Sequence, residues 1–70
     1  MIPLILANLD EENVIKKVGG SSETKKHLED TGFVVGANVR IVNTVGGNLI
    51  INIKEARVAL SRELAQKIMV

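Results

Sequence analysis

Three side chains within "SSETKKHLEDTG" are spaced to meet around a metal ion: Glu23, His27 and Asp30. On a helix, residues three and four apart share a face, so two carboxylates would flank the one imidazole of the chain. Oxygen and imidazole ligands of this kind suit weakly held ferrous iron or manganese, and a chain without cysteine has no thiolate site. The same spacing also describes a solvated, charge-balanced helix face, which is the more ordinary arrangement. Catalysis has no comparable candidate. With one histidine there is no nucleophile motif, and a P-loop, a Gly-x-Gly-x-x-Gly fingerprint and an HExxH motif are all absent. Nor is a deep pocket expected in a chain of 70 residues. The expectation is a protein that is not an enzyme and requires no cofactor.

A second kind of chemistry is contact with a partner. "GFVVGANVRI" puts Val34 and Val35 between two glycines, and "VGGN" puts Val45, Gly46, Gly47 and Asn48 at a turn. Turns on a rigid scaffold are where binding usually resides. Lone exposed valines are common, so the alternative is that the "FVV" run completes the core.

These residues must be held by the elements around them. "SSETKKHLEDTG" reads as the best helix, capped by Ser21 or Ser22, with Glu23 at the positive end of its dipole. Only Leu28 is strongly apolar, flanked by Thr24 and Thr31, so this helix packs by a narrow stripe. Lys25 with Glu29 and Lys26 with Asp30 are spaced to pair on the exposed face. Gly32 sits where a left-handed C-terminal cap is expected. Gly36 suits a turn before the next strand, and Phe33 between them folds back over the core.

"NVRIVNTV" and "LIINIK" flank "GGN", a hairpin signal. Leu49, Ile51 and Ile53 alternate with Ile50, Asn52 and Lys54 and should face the core, opposite Val39 and Ile41. "RVALS" adds a strand with Val58 and Leu60 on one face. Ser61 caps a helical turn in "SRELAQK", and residues 68–70 close the chain as a strand. Toward the N-terminus, residues 2–6 read as a short extended segment with Pro3 at an edge, "LDEEN" as a polar turn, and "VIKKV" as one bent or bulged strand ended by Gly19 and Gly20. Five or six short strands, a three-turn helix and a terminal helical turn suggest a single domain, mainly β: a small, partly closed barrel.

Composition narrows the function classes. Hydrophobic residues make up 46% of the chain and Phe33 is the only aromatic, so Val, Ile and Leu must carry the core. Nine basic and eight acidic residues leave a net charge of +1, spread along the chain, which is no footprint for a nucleic acid. Stacking aromatics for single strands are missing, as is the aromatic groove that proline-rich peptides need. "MIPLILANL" is too short to cross a bilayer and lacks a basic leader, so a cytoplasmic protein without direct membrane insertion is expected.

Taken in order, "VGG" at 18–20, Leu28 before "TGF", "GFVVGANVRI", the glycine turn at 46–48 and "RVALSRELAQKIMV" resemble the FeoA family of bacterial ferrous iron transport accessory proteins. The resemblance covers residues 14–70 well and the N-terminal segment loosely. It implies an SH3-like β-barrel over residues 1–70 that binds and modulates FeoB, the membrane iron transporter with a G-protein domain. The same barrel resembles the C-terminal domain of iron-dependent repressors, which implies the alternative of a stand-alone domain that binds a transition metal. Three features depart from the family pattern: a short "DEEN" loop, Val35 where proline commonly precedes the second glycine, and Leu49 where proline commonly follows "GGN".

Overall fold

The computed structural model describes residues 1–70. Its centre is the hairpin. Strands β3 (Asn38–Val45) and β4 (Asn48–Ile53) are joined by Gly46 and Gly47 alone, both with positive φ (54° and 86°). A two-residue turn of this kind matches the right-handed twist of the strands it joins. Register pairs Val39 with Ile53 and Ile41 with Ile51, then shifts between Ile41 and Asn43, leaving Val42 as a bulge. Leu49, Ile51 and Ile53 are buried, as their alternation predicts. Strand β5 (Ala56–Ser61) continues the meander and aligns Val58 with Ile51 and Leu60 with Leu49. On the other side, β1 (Glu12–Val14) pairs with β3, giving a four-stranded antiparallel sheet in the order β1-β3-β4-β5.

Helix α1 (Ser22–Thr31) lies where expected. Ser21 caps it, accepting from the Thr24 amide at 3.2 Å, and Gly32 ends it in a left-handed conformation at φ 107°. Leu28 is its one buried residue, and Phe33 folds into the core at 0% exposure. The predicted pairs Lys25–Glu29 and Lys26–Asp30 do not form; the one ion pair of the molecule joins Arg40 to Glu12 at 3.8 Å. Exposed pairs gain little against water and cost side-chain entropy, so correct spacing alone does not close them. After β5, Ser61 accepts from the Leu64 amide and caps the single turn α2 (Arg62–Ala65), and β6 (Ile68–Met69) follows.

The N-terminal third corrects three expectations. Residues 2–6 are not extended throughout: Leu4–Leu6 form a 3-10 turn that buries Leu4, while Ile2 exchanges backbone hydrogen bonds with Val70. "LDEEN" is a turn only in its first half, where Asp10 takes φ 59°; Glu12 and Asn13 already belong to β1. "VIKKV" is not one strand. Ile15 bonds to Ala37 and Gly36 beside β3, while the Lys16 amide donates to Met69, so the chain passes from one sheet to the other at this point. Beyond it, β2 (Lys17–Val18) pairs with β6 in a separate two-stranded sheet.

The expected barrel is therefore not closed by hydrogen bonds, because the two sheets share no ladder. What unites them is packing. Thirteen buried residues, all apolar and drawn from both sheets, both helices and the 3-10 turn, form one cluster. No polar or charged side chain is buried with them. No helix is long and apolar enough to cross a membrane.

Candidate functional site

The helix face comes first. Glu23, His27 and Asp30 do lie together, lining with Thr24, Lys26 and Leu64 an open depression of about 400 Å³. Its wall is the exposed side of α1 and its apolar patch is Leu64 of α2. Proximity on one face falls short of a chelate: no group of three or more His, Asp or Glu side chains in the molecule converges closely enough to hold a metal ion. Leu64, the one residue that α2 adds to the depression, carries no ligand atom.

The predicted contact residues fall into two places. Val34 and Val35 form the turn after α1, held by the Ala37 amide donating to Val34 and the Gly36 amide donating to Ile15. Gly36 has φ 93°, a conformation that favours glycine, and Val35 stands out at 65% exposure. Val45, Gly46, Gly47 and Asn48 form the hairpin turn, with Val45 57% exposed. These two turns cap opposite ends of β3, whose eight residues, with seven steps of about 3.3 Å between them, hold the turns roughly 23 Å apart. They are two surfaces, not one.

Sequence reasoning missed other exposed apolar side chains, chiefly Leu6 (68%) and Leu9 (56%) near the N-terminus. It also missed a small cleft of about 200 Å³ beside the hairpin turn, lined by Ile5, Thr44, Gly47, Asn48, Leu49 and Arg62. Four separate segments meet there, so no local spacing announces it. A third cleft of about 330 Å³ lies on the sheet, where Asn38, Val39, Asn52 and Lys54 surround the Arg40–Glu12 pair. No arrangement in the molecule couples a nucleophile to a base.

Known proteins resemble this chain along its whole length. The family model of the FeoA domain matches residues 2–70. A Methanocaldococcus jannaschii protein provisionally named Fe(2+) transport protein A is 33% identical over 70 residues, covering 100% of this chain and 85% of its own. The FeoA of Stenotrophomonas maltophilia, solved with zinc, superposes with a TM-score of 0.83 at 27% identity, covering 99% of this chain and 88% of that one. It is described as an SH3 domain protein and as a suggested ferrous iron transport activating factor. A manganese-dependent transcriptional repressor shares the fold at a TM-score of 0.85 and 16% identity, over 94% of this chain and 38% of its own. The fold is thus mainly β and SH3-like, and the chain belongs to the FeoA family.

Proposed function

We propose that this chain is a cytoplasmic accessory protein of ferrous iron uptake that works by binding the cytoplasmic region of a FeoB-type transporter and modulating it. Membership of the FeoA family across residues 2–70 is the observation that carries this reading. Two features of the chain agree with a contact function. The core cluster is complete without Val34, Val35 and Val45, which leaves these valines free for contact. Exposed aliphatic residues sit on turns anchored by a rigid hairpin, where a partner can cover them at little conformational cost.

Val35 is the residue assigned to the contact at the helix exit. Placing a lysine there would require desolvating an ammonium group within the interface, which is costly without an opposing charge. Val35→Lys is expected to weaken association with the isolated cytoplasmic region, measured by calorimetry with and without guanine nucleotide, while circular dichroism stays unchanged. Parental affinity in a folded Val35→Lys variant would move the contact to the hairpin turn. No binding by the parent protein in either nucleotide state would remove the transporter reading itself.

The alternative is a metal-sensing domain, for which the shared depression of Glu23, His27 and Asp30 is the relevant feature. Only that alternative requires ferrous iron to bind at micromolar concentration. Under anaerobic titration the expected binding is weak, with any manganese-induced broadening of the Glu23 and Asp30 resonances lost in His27→Ala.

A further inference from the structure

We propose that the cleft between the β3–β4 turn, the 3-10 turn and α2 binds a small aliphatic carboxylate, the group that the C-terminal residue of a partner polypeptide presents. This rests on the partner-binding reading and assigns a chemistry to the hairpin-turn surface. Three polar side chains line the cleft: Arg62, Thr44 and Asn48. Arg62 has no ion-pair partner, since the single ion pair of the molecule is Arg40–Glu12. No hydrogen bond within the protein occupies the Thr44 hydroxyl or the Asn48 amide; the nearest side-chain bond joins the Thr44 backbone to Asn43. All three are therefore available to a ligand.

The geometry around them selects its class. A guanidinium fork matches a carboxylate with two parallel hydrogen bonds, and a hydroxyl and an amide can complete the acceptor sites. Ile5 and Leu49, both packed on the core, supply an apolar lining. About 200 Å³ of open cleft is enough for a carboxylate with a short aliphatic stem. An inorganic phosphate could use the polar groups but would leave the partly exposed Ile5 uncovered.

The test is an NMR titration of the full chain, at constant ionic strength, with N-acetyl-leucine, with its uncharged amide, and with phosphate. N-acetyl-leucine should shift the Gly47 and Asn48 amides and the Arg62 side-chain resonance saturably in the millimolar range, and the uncharged amide should not. Arg62→Gln should weaken binding by about tenfold or more, as loss of a charge-assisted pair implies, with the rest of the spectrum unchanged because Arg62 is exposed. An equal response to the amide, undiminished binding by Arg62→Gln, equally tight phosphate binding, or no saturation would each overturn the proposal. Transporter affinity is measured separately. An empty cleft alongside intact transporter binding would remove only the carboxylate chemistry.

Discussion

The β3–β4 hairpin and the N-terminal arm are held by different kinds of information. In the hairpin, each residue's placement follows from its near neighbours. Apolar residues alternate at 49, 51 and 53, two glycines supply the turn, and the partner strand begins where the turn ends. In the arm, placement follows from residues far along the chain. Ile2 bonds to Val70, Pro3 bridges to Met69, the Asp10 amide donates to Ile41, and Ile15 bonds to Ala37. Local pattern can specify the first kind of structure. The second becomes definite only when the remainder of the domain has folded around it.

The largest effects should show whether this contrast in legibility is also a contrast in stability. Ile51 in the hairpin and Leu4 in the arm are both fully buried. Ile51→Ala is expected to cost about 2–5 kcal/mol, a large part of what so small a domain has to lose. Leu4→Ala should cost a similar amount, because the core depends on who is buried and not on how burial was specified. Denaturant unfolding of both variants measures this. A Leu4→Ala cost below about 1 kcal/mol would mean that the arm docks loosely and that the two regions differ in energy as well as in origin. An unchanged midpoint for Ile51→Ala would reverse the assigned face of β4.

Backbone strain gives the next test. Gly46 has φ 54° with nothing near the position of an added Cβ, so Gly46→Val should cost about 1–3 kcal/mol through conformation alone. Asparagine at the same position should cost less, since its short polar side chain tolerates the left-handed region. Asp10 in the arm holds φ 59° without being glycine. Asp10→Gly should therefore be near neutral, within about 0.5 kcal/mol, as relief of strain is offset by greater freedom of the unfolded chain. Equal penalties for valine and asparagine at Gly46 would remove left-handed geometry from the account of this turn.

Much of the fold was legible for the reasons the hairpin displays. The caps Ser21, Gly32 and Ser61 are local chemistry, and each occupies the end of a helix as read. The break at Ile15 was legible only as a defect in alternation; that it marks a change of sheet depends on Met69 and Ala37, which no window around residue 15 contains. The mainly β, SH3-like fold is present as expected, but its partly closed barrel is built from two sheets that share no ladder. Strand count suggests a barrel, but ladders require continuous pairing, and here the single cluster of thirteen buried residues joins the two sheets instead. The candidate sites divide in the same way. A shared helix face for Glu23, His27 and Asp30 is local and was readable, whereas the cleft at Arg62 joins residues from 5 to 62 and was not.

The smallest expected effect tests the seam between the two regions. Glu12 is where the arm enters the sheet, and it stands opposite Arg40 on β3 with 3.8 Å between their charged groups. Both side chains are about half exposed, at 58% and 46%. A pair so placed is solvated and free to rearrange, and its worth should be about 0–1 kcal/mol, less at high salt. Glu12→Gln keeps the size and polarity of the side chain while removing the charge, so it isolates the electrostatic part. The expected change in the denaturant midpoint is barely measurable and should vanish in high salt. A loss above about 1 kcal/mol that persists in salt would show that Glu12 anchors β1 by more than charge. The arm would then be specified locally at that one residue, and the contrast with the hairpin would narrow to the segment before Asp10.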